Sequence, residues 1–433
     1  MKSRATREFE KCTSVVSKMK FSLDYKEKER LQLEVPAGRV LLPTSPTERS
    51  EEGSSLRESL LKPFDAAPIL ELAEFAKQIV LIVEDHTRHS PILETLSFMK
   101  SLFAENKIPW SKISLLVATG THRQMTAEEL TEKFGSFSHD TKIVQHDAEA
   151  ANRMKDYGEF LGVPIRINEA VGADLTIGVG SIVPHRFSGW SGGAKIVIPG
   201  VSAYETVFES HRMAILKSRA DVGVLDNEFR ELIDETGKRV GLDFIINFYY
   251  DIEGRIAGCV SGNHVAAHRE GVKLAREELL REYSERADVT VISSFPSVTD
   301  FWQCGKALYT SDLVTRNGGD IVMVSSLDEG FGDHPLFASL LKMEAEKILE
   351  RLDMITTEDP LAYVAAYAVR KVIEKKRIHI VSNTKFADQF NELGLTVHPD
   401  IQSVVDRVAP AGKSIAVLQN SLVLPEISNK EAQ

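Results

Sequence analysis

The chain is poor in cysteine and lacks the spacings that cysteine chemistry needs. Only Cys12, Cys259 and Cys304 occur in its 433 residues. They lie far apart and none forms a CxxC pair, so neither a disulfide framework nor a cysteine-based zinc site is supported. This usage is typical of a reducing compartment, and we expect a cytoplasmic location.

Long apolar runs and an excess of basic residues are also missing. No apolar run approaches the roughly 20 residues that a membrane span needs. The first 21 residues are basic, but they lack the apolar core of a signal peptide. Lys and Arg number 52 against 63 Asp and Glu, which gives a formal net charge of −11. A nucleic-acid binder needs a basic stripe, so we expect neither nucleic acid nor membrane among the partners.

Short β-branched apolar runs are abundant. Runs of four to eight such residues, bounded by turn signals, predict buried strands of a largely parallel sheet. The predicted strands form two sets: 79–84, 113–118, 141–145, 174–180 and 243–248, and then 287–294, 319–326, 377–383 and 414–421. These strands predict an α/β fold.

A charged amphipathic stretch over 264–286 predicts a long helix between the two sets of strands. We therefore predict two domains, each with a largely parallel sheet flanked by helices. Residues 1–275 form the first, onto which residues after about 412 pack back, and 276–411 form the second. The polar segment 44–60 is predicted to be a surface loop.

Histidine or arginine follows four successive predicted strands. The segments are "DHTRHSP" (85–91), "TGTHRQ" (119–124), "HDAE" (146–149) and "SIVPHRFSGWSGGAK" (181–195). In open α/β sheets, ligands bind beyond the carboxyl ends of the strands. The pattern therefore indicates a binding or catalytic site built from these strand exits.

The fourth exit is the most glycine-dense part of the chain. Gly192 and Gly193 allow the backbone to approach an anion and turn N–H groups toward it. The segment is not a Walker loop, because GxxxxGK[ST] is absent. Lys195 precedes the apolar run "IVIPG", where a lysine can lose its charge and act as a nucleophile or covalent anchor. The alternative is a tight turn with a surface lysine.

His122, His185 and His211 lie in three separate segments beside turn-forming or strand-exit residues. Histidine is the usual proton shuttle at neutral pH and the commonest metal ligand. An isolated histidine is more often structural, so these three indicate a site only if the fold brings them together.

Three further polar residues are candidates for substrate binding. Arg88 follows a strand and can bind a carboxylate through its two-pronged guanidinium, or it can form a structural ion pair. Gln303 and Lys306 are three apart on a predicted helix, so they share one face. Read alone, they could equally be surface residues.

Taken in order, six motifs resemble the nickel-pincer lactate racemase family of 2-hydroxy-acid racemases. They are "DHTR", "ATGTHR", "HDA", "PHRFSGWSGGAKIVIPG", "ETVFESH" and "DFWQCGKAL". The resemblance spans most of the chain. It implies an isomerase that interconverts D- and L-2-hydroxy acids, with its active site in the cleft between two domains.

The resemblance also implies how a cofactor is held. Lys195 corresponds to the lysine that carries the nickel-pincer nucleotide, pyridinium-3-thioamide-5-thiocarboxylic acid mononucleotide, through a thioamide. His211 corresponds to the histidine that ligates nickel. Gly192, Gly193 and Asp85 are then expected to bind the cofactor, and cofactor-biosynthesis proteins are expected as loading partners.

By the same resemblance, His122 and His185 are the two acid/base histidines of a hydride shuttle through a transient 2-keto acid. Arg88 is expected to bind the substrate carboxylate, assisted by Gln303 and Lys306. The chain departs from the family near the substrate, because Trp302 stands where tyrosine is common and no tryptophan occurs later. Lactate, malate, or a larger or aromatic 2-hydroxy acid all remain open as substrates.

Two other functions fit the same residues. The three histidines could bind zinc with an open water position, as in a metal-dependent hydrolase. The glycine loop and Arg88 could also serve a non-catalytic protein that binds a small anion or a cofactor.

Overall fold

The computed structural model describes residues 17–26, 28–44, 53–88, 90–219, 221–332, 334–355 and 359–428. Its strands are β1 (Lys18–Lys26), β2 (Glu29–Pro36), β3 (Ile79–Glu84), β4 (Ile113–Ala118), β5 (Lys142–Gln145), β6 (Met154–Phe160), β7 (Val163–Asn168), β8 (Leu175–Ile182), β9 (Pro184–His185), β10 (Gly189–Trp190), β11 (Phe244–Tyr250), β12 (Ile256–Gly262), β13 (Leu280–Tyr283), β14 (Ala287–Ser293), β15 (Thr315–Val324), β16 (Arg377–Val381), β17 (Thr396–His398), β18 (Ile415–Leu418) and β19 (Leu424–Ile427).

The α-helices pack around these strands. They are α1 (Leu56–Leu61), α2 (Ile69–Phe75), α3 (Ile92–Glu105), α4 (Ala127–Phe134), α5 (Phe137–Asp140), α6 (Tyr204–Leu216), α7 (Glu228–Val240), α8 (Ala266–Leu279), α9 (Phe301–Asp312), α10 (Pro335–Leu340), α11 (Ala345–Leu352), α12 (Pro360–Ile373), α13 (Ala387–Glu392) and α14 (Ile401–Val408). Within the described ranges, no helix combines the length and apolar character that a membrane crossing requires.

The first sheet has six strands in the order β12-β11-β8-β3-β4-β5. It contains all five strands of the first predicted set, and its pairs are parallel except β11 with β12. Every residue of β8 is buried, as expected for a central strand covered on both faces. The missed strand, β12, has the glycine-rich sequence "IAGCVSG", which carries little strand propensity.

The second sheet has five strands in the order β17-β16-β15-β14-β18, all parallel. It contains all four strands of the second predicted set. The α/β class and the two largely parallel sheets flanked by helices are therefore confirmed.

Segments near the two ends of the chain contact different sheets. The hairpin β1–β2 packs on the second sheet, where Leu23 and Leu33 join a core with Val289 and Val322. Strand β18 lies in the second sheet, whereas Leu422 and Leu424 just after it pack into the first core. The division of the chain at residue 275 stays a prediction, and this hairpin is one part of 1–275 that contacts the second sheet.

Two local predictions need correction. The helix predicted over 264–286 ends at Leu279, where residues 280–283 form a strand paired in parallel with β19. The loop predicted over 44–60 includes helix α1, because the Ser55 side chain accepts a hydrogen bond from the Glu58 N–H and caps the first turn. Residues 45–52 of that segment lie outside the described residues.

The sheet order determines where the functional segments meet. Strands β8, β3 and β4 are neighbours and run parallel, so their carboxyl ends lie along one edge of the first sheet. The segments that follow them, 85–88, 119–122 and 183–195, therefore meet at that edge.

Replacing Leu23 with alanine is expected to destabilise the protein by about 2–5 kcal/mol, because it leaves a cavity between the hairpin and the second sheet. Chemical denaturation followed by circular dichroism measures the change. Gln32→Ala, at an exposed position of the same hairpin, is the control and should change stability by less than about 0.5 kcal/mol. Equal stability of the two variants would show that the hairpin does not belong to this core.

Candidate active site

One cavity of about 440 Å³ lies at the edge where the strand exits meet. Its lining comes from the exits of β3, β4 and β8, and also from α6, α9 and α12. All ten predicted site residues line it: Asp85, Arg88, His122, His185, Gly192, Gly193, Lys195, His211, Gln303 and Lys306. Residues from five separate segments of the sequence thus face one cavity.

His122 is held by a buried carboxylate. Its Nδ1 lies 2.7 Å from Oδ2 of Asp85, which is only 2% exposed, and Thr87 donates its N–H and hydroxyl to Oδ1. Burial alone would raise the pKa of Asp85, but the hydrogen bond from His122 and the charge of Arg88 lower it overall, so the carboxylate is ionised. It therefore accepts the Nδ1 proton, which leaves Nε2 of the neutral imidazole as the basic atom. This contact with His122 does not test the predicted role of Asp85 in cofactor binding, which stays a prediction.

His185 is held in the opposite way. Its Nδ1 lies 3.2 Å from the backbone nitrogens of Phe187 and Ser188, both of which are donors. Nδ1 must therefore accept, and the neutral ring carries its proton on Nε2. Burial, aided by the charges of Lys195 and Lys306, lowers the pKa of His185 well below the usual range. The two histidines thus differ in tautomer: His122 offers a lone pair at Nε2 and His185 offers a proton.

His211 lies on α6 with its ring between two aromatic side chains. The centroids of Phe187 and Phe229 are 5.5 and 5.4 Å from its own, both in edge-to-face geometry. Its Nδ1 donates to the Val207 carbonyl oxygen at 2.8 Å, which leaves the Nε2 lone pair free to bind a metal. Burial lowers its pKa to about 4, so the ring is neutral at physiological pH, as a metal ligand must be.

Lys195 lies in a short 3₁₀ turn, Gly193–Ile196, directly after the two glycines. It is partly accessible because it borders the cavity, although protein surrounds it. Burial lowers its pKa to about 7, and the positive charges of Arg88, Arg230 and Lys306 act in the same direction. A large fraction of Lys195 is therefore neutral and nucleophilic at pH 7 to 8.

The glycines before Lys195 are required by the protein's own packing. Both have positive φ, 84° at Gly192 and 60° at Gly193. A Cβ on Gly192 would lie 2.7 Å from the Ile182 side chain, and one on Gly193 would lie 3.0 Å from the His268 ring. The predicted role in cofactor binding stays a prediction, whereas the need for glycine already follows from these contacts.

Arg88, Gln303 and Lys306 add positive charge and hydrogen-bond donors to the cavity. Arg88 donates to the Thr87 hydroxyl at 2.9 Å, and Lys306 donates to Oε1 of Gln303 at 2.9 Å on the first turns of α9. Burial and the charge of Arg88 lower the pKa of Lys306 to about 7. Such a concentration of cationic groups favours an anionic ligand, for example a carboxylate.

The zinc alternative is not supported. Among the residues that the structure describes, no group of three or more His, Cys, Asp or Glu side chains could hold a metal ion.

Sequence reasoning missed several residues around the cavity. Glu84 accepts the N–H and hydroxyl of Ser181 there, and its charge at the end of the run "IVLIVE" was the available signal. Asn247 accepts the Gly193 N–H at 2.7 Å, and nothing in the strand "FIINFYY" distinguishes it beyond its polarity. His146 of the third strand exit is instead structural, since it is buried and its ring contacts the Ser202 carbonyl.

Comparison with known proteins finds similarity to lactate racemases. Residues 25–223 match the model of the lactate racemase N-terminal domain. The lactate racemase of Thermoanaerobacterium thermosaccharolyticum is 27% identical over 392 residues, covering 84% of this chain and 90% of that protein. The lactate racemase of Lactiplantibacillus plantarum is 27% identical over 387 residues, covering 86% and 90%. The resemblance predicted from the six motifs is thereby confirmed.

Solved structures share the fold. The lactate racemase apoprotein from Thermoanaerobacterium thermosaccharolyticum superimposes with a TM-score of 0.83 at 23% identity, covering 95% of this chain and all of that one (100%). A Thermotoga maritima protein superimposes with a TM-score of 0.67 at 18% identity, covering 82% and 96%. The two-sheet α/β architecture therefore recurs in both of these proteins.

Lys195 is expected to titrate near pH 7 in the full chain produced without cofactor, because burial and neighbouring cations disfavour its charged form. The rate of Lys195 acetylation as a function of pH, followed by peptide mass spectrometry, gives the midpoint. Exposed Lys342 in the same protein supplies the reference profile. A Lys195 midpoint equal to that of Lys342 would contradict the described environment.

Proposed function

We propose, on the premise that this chain carries a lactate racemase N-terminal domain and resembles lactate racemases over most of its length, that it is an isomerase interconverting D- and L-2-hydroxy acids. The observation that carries the proposal is the convergence of two differently polarised histidines, a near-neutral lysine and cationic groups on one cavity. We assign the active site to this cavity, which is lined by the first sheet and its strand exits and by helices α6, α9 and α12.

The residues present fit the nickel-pincer nucleotide. A nickel ion in this group would be held by a single neutral imidazole of the protein. His211 meets that need, because its Nδ1 bond to Val207 fixes the ring and presents Nε2. Lys195 has the depressed pKa that forming an amide-type bond requires. When bound, the group would supply a hydride acceptor for the substrate α-hydrogen.

The cationic side of the cavity is proposed to bind the substrate carboxylate. Arg88 can offer two parallel N–H groups to it, and Gln303 and Lys306 approach from α9. Filling the site with an anion offsets the repulsion among these cations. The aliphatic side chains of Leu361, Val364 and Ala365 on α12 also line the cavity and favour a substrate with an apolar side chain.

His122 is proposed to accept the substrate hydroxyl proton at Nε2. The ring becomes an imidazolium in that step, and the Asp85 carboxylate at Nδ1 stabilises the new charge, as in other carboxylate–histidine pairs. The same atom returns the proton when the reaction reverses. Asp85 thus orients the ring and supports its change of charge.

His185 begins with its proton on Nε2, so it donates a hydrogen bond to the substrate oxygen on its side of the cavity. Two backbone N–H groups donate to the Nδ1 lone pair, so the ring can take up a proton at Nδ1 only after it releases these two hydrogen bonds. The two acid/base histidines are therefore proposed to be unequal, with His122 as the stronger base.

His122→Gln is expected to lower kcat/KM for racemisation at least ~100-fold, the usual loss when a general base is removed. His185→Gln keeps an N–H donor and is expected to lose less, whereas His185→Leu removes the donor and should fall as far as His122→Gln. Polarimetry or chiral chromatography on protein from a cofactor-producing host measures the rates. Equal losses for the two glutamine variants would contradict the proposed inequality.

His211→Ala is expected to reduce bound nickel to below about a tenth of the wild-type content, because it removes the one protein ligand. His122→Ala, in the same cavity, is the matched control and should retain nickel. Metal content per chain is measured by plasma mass spectrometry on proteins from the same loading host. Similar retention in both variants would remove His211 from the metal site.

A further inference from the structure

Side chains of the protein donate hydrogen bonds to the backbone that leads to Lys195 and fix it. The Trp190 carbonyl accepts hydrogen bonds from Arg230 Nη2 and, at 2.7 Å, from the Ser188 hydroxyl. The next carbonyl, that of Ser191, accepts from Nε2 of His268 at 2.8 Å. We call residues 190–195 the lysine loop.

The third peptide plane of the lysine loop is held on both edges. The Gly192 carbonyl accepts from Arg230 Nη1 at 3.3 Å, and the Gly193 N–H on the opposite edge donates to Asn247 Oδ1 at 2.7 Å. Because the peptide unit is planar, two bonds on opposite edges fix its orientation. Three successive peptide units before Lys195 are therefore fixed.

Arg230 makes these contacts from a buried position, where desolvation disfavours its charge. It is 1% exposed on α7, its nearest carboxylate is that of Asp234 at 3.6 Å, and burial lowers its pKa to about 10. A surface cation would avoid this desolvation. Its two nitrogens bridge the first and third carbonyls of the loop, a spacing that the planar guanidinium suits and an ammonium does not.

A glycine pair needs such support. Gly192 and Gly193 have more accessible backbone conformations than other residues, so an unsupported loop would move and carry the lysine with it. Helix α7 also lies against the turn that follows, since a Cβ on its Gly237 would be 2.6 Å from Cβ of Ala194.

We propose that Arg230 and His268 are positioning residues for Lys195, which hold the three carbonyls of Trp190, Ser191 and Gly192 so that the lysine side chain stays inside the cationic cavity. The inference deepens the proposed function, but it concerns the loop alone. It can therefore be tested on the full chain without cofactor, and its failure would leave the racemase assignment in place.

The test compares the two cavity lysines within each variant. Lys195 lies on the lysine loop, whereas Lys306 lies on α9 in the same cavity and has no part in the loop. The pH profile of acetylation by acetic anhydride, read at each lysine by peptide mass spectrometry, gives two midpoints per protein. The groups that shift the Lys195 midpoint are Arg88, Arg230, Lys306 and Glu84.

His268→Leu removes the donor to Ser191 without changing the charge, because burial keeps this histidine neutral. The Lys195 midpoint should rise by at least about one pH unit, toward that of a solvated lysine, while the Lys306 midpoint stays in place. His268→Gln retains an N–H donor and should restore the wild-type profile. Arg230→Lys keeps the positive charge but cannot bridge two carbonyls, so it should behave like His268→Leu.

Two results would overturn the proposal. If both lysine midpoints move together, the residues support the whole fold and do not position Lys195. If the leucine and glutamine variants at 268 give the same Lys195 profile, the hydrogen bond to Ser191 does not hold the loop.

Discussion

The constraint on which this site depends is the gathering of three cations in one cavity. Burial, followed by the charge of Arg88, lowers the pKa of both Lys195 and Lys306 to about 7. Keeping either lysine charged here costs on the order of a few kcal/mol. The anions nearby, Glu84 and Asp85, are already engaged by serine, threonine and histidine partners. The cavity therefore favours an anionic ligand and a neutral, nucleophilic lysine.

Rigid elements on both sides maintain that arrangement. The exits of β3, β4 and β8 supply Arg88, His122 and Lys195 from adjacent parallel strands. The other lysine comes from α9, which follows strand β14 of the second sheet. The strands before Arg88, His122 and Lys195 and helix α9 are rigid elements, so little reorganisation is needed when a ligand binds. The tautomers of His122 and His185 are likewise set by partners that belong to the scaffold.

Much of this could be predicted from the sequence, for physical reasons that differ between residues. Strand exits in a parallel sheet meet at one edge, so the histidines and arginine after the apolar runs were found by position alone. The packing role of Gly192 and Gly193 was not predictable, because atoms that exclude a Cβ there come from Asn247 and His268, far away in sequence.

The residues that support the site were equally hard to predict from the sequence. Arg230 lies in a helix rich in charged residues, where nothing marks it as buried. The tautomer of His185 depends on two backbone N–H groups in a turn, and composition carries no trace of that geometry. The helix predicted over 264–286 was too long because strand pairing of residues 280–283 with β19 overrides helix propensity there. Local pattern thus identified residues that line one cavity, whereas tertiary contacts determined how each is held.

The central claim is that Lys195 is the covalent anchor of a nickel-containing nucleotide. The most direct measurement is the mass of the Lys195 peptide, together with nickel content, on protein from its native source or from a host that loads a known lactate racemase. The account predicts a sulfur-containing adduct of nucleotide size on Lys195 with close to one nickel per chain. An unmodified Lys195 from a host that does load the known racemase would contradict it.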